Sequence, residues 1–141
     1  MAARRARVLA YVTRERDGQI ELLVFDQRDD PEAGTQVPAG RLDPGESLEQ
    51  GLLRELHEES GIVGARIVRE LPVLGEWVAK SPYDDHAFEV RVDGTAPADT
   101  WEHVVHGDGD DAGFVFCYRW VAVEPGLRLW SGLDLTYTAL L

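Results

Sequence analysis

The sequence predicts an α/β fold, a mixed β-sheet sandwiched between helices, and three observations carry that prediction. Apolar runs with β-branched and aromatic members at Val8 to Thr13, Ile20 to Phe25, His86 to Val92 and Phe114 to Val123 read as strands. A helix with clear start and stop signals lies between the second and third runs, and Ser131 to Leu141 can close the chain as a short helix. Strands, a helix, more strands and a final helix fit a sheet covered by helices. The 141 residues have the length of one domain, read as 1–141, and 44% hydrophobic residues supply a sizeable core. No internal repeat, low-complexity tract or linker interrupts them.

Asp17-Gly18, within a polar stretch, joins the first two strands as a hairpin turn. Asp26 to Gly34, rich in charge and turn formers, reads as a surface loop, and Thr35 to Val37 as a short strand. Pro38, Gly40, Pro44 and Gly45 then write a structured loop. Ser47 with Gln50 forms a capping-box pattern, Glu49 suits the positive end of the helix dipole, and Gly61 supplies the stop. Leu48, Leu52 and Leu56 repeat every fourth residue as a buried stripe, leaving Glu55, Glu58 and Glu59 on another flank. Ala65 to Lys80 reads as strand, divided or bulged at Pro72 and Gly75. Gly94 to Gly113 reads as an extended loop, holding Gly94, Pro97 and Gly107 among Asp99, Asp108, Asp110 and Asp111, anchored by Trp101 and Val104-Val105.

The chemistry concentrates in Arg54-Glu55-Leu56-His57-Glu58-Glu59. Residues three or four apart are neighbours on a helix, so Glu55 sits beside Glu58 and Glu59, and Arg54 can brace Glu58 as an ion pair. Crowded carboxylates stay ionised at neutral pH when a cation sits among them, and hard oxygen donors suit Mg²⁺ or Mn²⁺. The bland alternative is an acidic solvent-facing helix. His57 projects elsewhere as an exposed histidine.

Gly40, five residues, Glu46, seven residues, Arg54-Glu55-Leu56, one residue, Glu58-Glu59, one residue and Gly61-Ile62 resembles the Nudix box at every specified position. A chance match at one given start is on the order of one in a billion. Gly51 stands where alanine is common and Ala39 where glycine is common. The resemblance implies a Nudix-type α/β/α sandwich and a hydrolase cleaving a nucleoside diphosphate linked to another group X. It also implies metal ligation by Glu55, Glu58 and Glu59, with Glu46 and the carbonyl near Ala39 or Gly40 as accessory ligands. Glu58 or Glu59 is implied as general base, with Asp108, Asp110 and Asp111 as further candidates from the late loop, and Arg54 as the residue orienting the ligands. None of the subgroup marks of ADP-ribose, diadenosine polyphosphate or coenzyme A hydrolases falls in place, so X is not named.

The net charge of −12 argues against general affinity for nucleic-acid backbones or anionic membranes. A small phosphorylated nucleotide-type substrate remains compatible if local cations meet it. Arg28 and Arg41 are candidates for that, and Trp77, Tyr83, Trp101, His86, His103 and His106 offer flat surfaces for a base. Core or surface packing is the alternative for each aromatic residue. Cys117, the only cysteine, lies in an apolar run and reads as a buried thiol. That argues against a prenyl diphosphate isomerase, which shares the fold and needs a catalytic cysteine. No signal-peptide or membrane-spanning pattern is present, so a cytoplasmic monomer or homodimer is expected. A nucleotide-sensing domain without turnover is the alternative function.

Overall fold

The computed structural model describes residues 5–92, 98–107 and 109–138. Among these, Ala6–Arg16 (β1), Gln19–Gln27 (β2), Ala39–Arg41 (β3), Arg66–Leu71 (β4), Asp84–Arg91 (β5), Thr100–Val104 (β6) and Val115–Ala122 (β7) build one mixed sheet. Its order is β4-β5-β1-β2-β7-β6, with β3 also paired to β1. The β1–β5 pair is parallel and the other pairs are antiparallel. Asp17 and Gly18 both have positive φ, 52° and 79°, between the partners Arg16 and Gln19, which is the two-residue hairpin expected.

Alternation along the central strands divides the core. Val8, Ala10 and Val12 of β1, with Leu23 and Phe25 of β2, pack under helix Leu48–Ser60 (α1) through Leu52 and Leu56. Leu9, Tyr11, Leu22 and Val24 face the other way, against Leu71, Trp77, Leu129, Leu133 and Tyr137. That second face is covered by helix Glu76–Lys80 (α2), a 3₁₀ turn at Trp130–Gly132 and helix Leu135–Thr138 (α3). Helices on both faces complete the α/β sandwich. The final segment is tied down by Tyr11, whose hydroxyl donates to the Leu133 carbonyl at 2.8 Å.

Four expectations are corrected. The strand entering the box is Ala39–Arg41 rather than 35–37, where only an isolated bridge, Phe25 to Gln36, forms. Pro72 and Gly75 do divide 65–80, but its second half is the helix α2, not strand. The stretch 94–113 contains the edge strand β6, with Gly94, Pro97 and Asp108 outside the described residues. The closing helix is confined to Leu135–Thr138 within the described residues.

Candidate active site

The start of α1 follows its sequence signals. The Ser47 hydroxyl accepts from the Gln50 amide and the Gln50 side chain accepts from the Ser47 amide, while Gly61 turns left-handed at φ 81° to end the helix. Gly51 leaves room for Leu42, whose side chain fills the place of a Cβ.

Arg54 organises the acidic flank. Its Nε and Nη2 grip both oxygens of Glu46 at 2.7 and 2.9 Å, and Nη1 donates at 3.0 Å to both Glu55 and Glu58. Nη2 also donates to the Arg41 carbonyl at 3.0 Å, tying the helix to β3. The Arg54 hydrogen bond is the foremost cause holding the Glu46 carboxyl below the usual carboxylate range. Glu46 is therefore placed against Arg54 and does not line the cavity described below.

Glu59 lies deeper than Glu55 and Glu58. It is only 3% exposed, and the Ala39 amide donates to its carboxylate at 3.2 Å. Burial, then the charges of Asp111 and Glu55, push its pKa well above the ordinary value. Glu55 is pushed up to about 7, foremost by burial, against the opposing pull of Arg54. Gly40 is needed here because a Cβ at that position would overlap the Glu55 carboxyl group.

The C-terminal carbonyls of α1, which no intrahelical amide can reach, are met by groups from β6, β7 and their connection. The Tyr118 hydroxyl donates to Glu59 O at 2.8 Å and the Trp101 indole to Ser60 O at 2.9 Å. The His103 ring nitrogen and the His106 amide both meet Glu58 O at 3.0 Å. Burial lowers the His103 pKa, favouring the neutral ring that donates from Nε2. Trp101 and His103 are thus structural clamps rather than open stacking surfaces, and Trp101 stacks on Tyr118 at 4.9 Å. Gly107 continues the clamp, since a Cβ there would stand 2.6 Å from the Glu58 carboxylate.

A cavity of about 440 Å³ opens over this assembly. Glu55, Glu58, Glu59, Asp110 and Asp111 line its acidic part. Arg5, Arg7, Arg41, Arg54 and Tyr83 are also in its lining. Arg41 and Tyr83, both substrate-contact candidates from the sequence, are thus brought to one cavity. Arg5, Arg7 and the nearby Asp85 were not singled out; the alternation of Arg5 and Arg7 at the start of a strand was the available signal. Trp77 is a correction: at 5% exposure it belongs to the second core, with no ring face left for a ligand. Arg28 pairs with Asp29 and Glu102 and does not line the cavity. His86 pairs with Asp84 and also lies outside the lining. Cys117 is half-buried on β7, between Asp26 and Glu102 in the sheet register.

Among the described residues, no three acidic, histidine or cysteine side chains converge as a ready-made metal cage. Arg54 instead draws Glu55 and Glu58 to itself. The donor set nevertheless fits a hard divalent cation. It consists of carboxylate oxygens, and burial and mutual repulsion make the ionised forms of Glu55 and Glu59 costly until positive charge is supplied.

No curated protein sequence matches the chain significantly. Among solved structures, a C. elegans Ap4A hydrolase in a binary complex is similar at TM-score 0.63 and 18% identity, with 96% of each chain covered. The Nudix hydrolase RenU from M. smegmatis gives TM-score 0.64 at 14% identity, covering 99% of this chain and 86% of that one. The NUDIX domain of Shewanella oneidensis NrtR, complexed with ADP ribose, gives 0.60 at 19% identity, covering 99% and 88%. These likenesses show a shared fold. The family model for the NUDIX domain matches residues 3–131, spanning the box, the sheet and the cavity, and the chain belongs to that family, the Nudix hydrolases.

Proposed function

We propose that the chain is a metal-dependent pyrophosphohydrolase that cleaves the diphosphate linkage of a nucleoside diphosphate joined to X, as in a nucleoside triphosphate, a nucleotide sugar or a related small molecule. The observation that carries the reading is one cavity in which a carboxylate cluster confronts a row of guanidinium groups. Such a surface can hold cation and phosphate side by side, as anhydride hydrolysis requires. Glu55, Glu58 and Glu59 would hold Mg²⁺ or Mn²⁺, with the Gly40 backbone beside them. The bound cation supplies Lewis acidity toward the phosphate oxygens and a water.

The residues do the rest. Arg54 fixes the direction of Glu58 and Glu55 through the pair of 3.0 Å bonds. Glu58 is the more accessible proton acceptor, because its side chain is 24% exposed whereas Glu59 is buried. Glu58 takes a proton as the water oxygen bonds to phosphorus, and the P–O anhydride bond breaks to release a phosphorylated leaving group. Arg41 lines the same cavity. The clamp on the α1 carbonyls keeps the carboxylates in register during this step.

The acidic chain argues for a small-molecule substrate rather than a nucleic acid or a membrane surface. Among the described residues no helix is long and apolar enough to cross a membrane. A cytoplasmic setting, as monomer or homodimer, is part of the same proposal. The test is a phosphate-release screen over nucleoside triphosphates, nucleotide sugars, dinucleotide polyphosphates and coenzyme A, with Mg²⁺ or Mn²⁺ and a coupled phosphatase. One strong substrate is expected. Binding of a nucleotide with no turnover across the panel would replace the hydrolase with a sensor.

A further inference from the structure

Two arginines stand directly opposite each other at the mouth of the cavity. In the antiparallel register of β1 and β3, Arg7 pairs with Arg41, and in the parallel register of β1 and β5, Arg7 pairs with Asp85. The row across three strands is Arg41–Arg7–Asp85. Like charges directly opposite in a sheet destabilise it, so a row carrying two cations and one anion invites a further anion.

The two cations differ in their partners. Arg7 is held on three sides: its Nε donates to Asp85 at 2.6 Å, its Nη2 to the Ser81 hydroxyl at 3.1 Å, and its guanidinium lies 4.8 Å over the Tyr83 ring. The Asp85 side chain is 4% exposed, so it serves as a buried orienting group. Nη1 of Arg7 makes no hydrogen bond among the described residues. The Arg41 side chain has neither a hydrogen bond nor an ion pair among the described residues, although its backbone carbonyl anchors Arg54. One guanidinium is preorganised and its neighbour is uncommitted. Such a pair suits an oxyanion that accepts from both.

The placement also bears on substrate length. Gly40 abuts Glu55, while Arg41, the next residue of a three-residue strand, pairs with Arg7 on the opposite face. The cavity is lined by residues of both faces, so a ligand touching the acidic cluster and the arginine row reaches both sides of β3. A neutral sugar as X would leave those cations unmatched.

We propose that Arg7 and Arg41 form an anion subsite that selects substrates bearing a charged phosphoryl group beyond the scissile linkage, a nucleoside triphosphate or dinucleoside polyphosphate rather than a nucleotide with a neutral X. The proposal rests on the hydrolase reading for its activity test and on geometry alone for its binding test.

The experiment compares wild type, Arg7→Gln, Arg7→Lys and Arg41→Gln on a nucleoside triphosphate and a nucleotide sugar with Mg²⁺, recording kcat and KM separately. Loss of a charge-assisted hydrogen bond should raise KM for the triphosphate roughly 10- to 100-fold, with kcat and the nucleotide-sugar KM little changed. Arg7→Lys should recover part of the loss. Arg41→Gln guards against a folding artefact, since that side chain has no hydrogen-bond or ion-pair partner to lose among the described residues. In parallel, calorimetry measures binding of inorganic tripolyphosphate to the same four proteins. Tripolyphosphate binding that depends on both arginines, without turnover of either substrate, would uphold the subsite and remove the hydrolase. Equal binding by wild type and Arg41→Gln, or a KM change shared by both substrates, would overturn the subsite.

Discussion

Replacing Tyr118 with Phe removes one hydroxyl and tests whether the clamp on α1 stabilises the catalytic helix. Tyr118 is 2% exposed, and its hydroxyl is the hydrogen-bond partner of Glu59 O, at 2.8 Å. Burial raises the phenol pKa well above its ordinary value, so the group remains a neutral donor across the working pH range. The Phe ring keeps the stack on Trp101 and the contact with Phe25, so apolar packing changes little. What is lost is the bond to a buried carbonyl, with a cost of about 1–3 kcal/mol for leaving it unsatisfied. For a domain of this size that corresponds to a fall in Tm of roughly 3–10 °C. Thermal unfolding followed by circular dichroism reads it directly, and urea unfolding separates a stability change from a change in compactness. Because the carbonyl belongs to Glu59, hydrolysis should weaken as well. A Tm within one degree of wild type, about the scatter of repeat scans, would refute the clamp as an energetic feature.

Other outcomes follow from the same geometry. Leu56→Ala, at a side chain 1% exposed between α1 and the sheet, should cost about 2–5 kcal/mol in urea unfolding, and an unchanged midpoint would mean that the helix face is misassigned. Gly40→Ala places a Cβ into the Glu55 carboxyl, the mobile end of a side chain, so turnover should drop while Tm shifts by only a few degrees. A variant with full activity would deny Glu55 its position. The raised pKa of Glu55 fixes the sign of a pH effect. Between its ordinary value of 4.5 and about 7 the folded chain holds the proton that the unfolded chain has released, so stability falls as pH rises through that window. Glu59 acts in the same direction. Melting scans of metal-free protein should show this decline, and Glu55→Gln should flatten it; a stability that rises over the window would contradict the assignment.

Local signals in the sequence were sufficient wherever neighbours in sequence are neighbours in space. The Asp17-Gly18 turn, both caps of α1 and the grouping of Glu55 with Glu58 depend on residues at most four apart, and all are present. The strand β6 was hidden because an exposed edge strand of five residues has no continuous apolar run; its signal was the alternation of Trp101 and His103 toward α1. Helix α2 was read as strand because Glu76–Lys80 is too short to show a helical period and contains Trp77 and Val78. Burial of Trp77 is decided by Leu129, Leu133 and Tyr137, far along the chain.

The site divides in the same way. Arg54 could be paired with Glu58 from spacing, but its grip on Glu46 and the Arg41 carbonyl depends on how the box loop folds back. Glu59 looked like its neighbours in sequence, and only the approach of Ala39 and Asp111 makes it a buried carboxyl. Arg7 meets Asp85 through parallel pairing of β1 with β5, which β2, β3, α1, β4 and α2 separate in the chain, a register that no local pattern encodes.

The most direct test of the central claim is the initial rate on the best substrate of the panel, measured for wild type and Glu58→Gln in Mg²⁺ and again with EDTA, with both proteins shown to be folded. Turnover is expected for wild type with Mg²⁺, slower by roughly 10²–10⁴-fold in Glu58→Gln as a lost general base implies, and lost with EDTA. Equal rates for the two proteins in Mg²⁺, or wild-type turnover undiminished by EDTA, would contradict it.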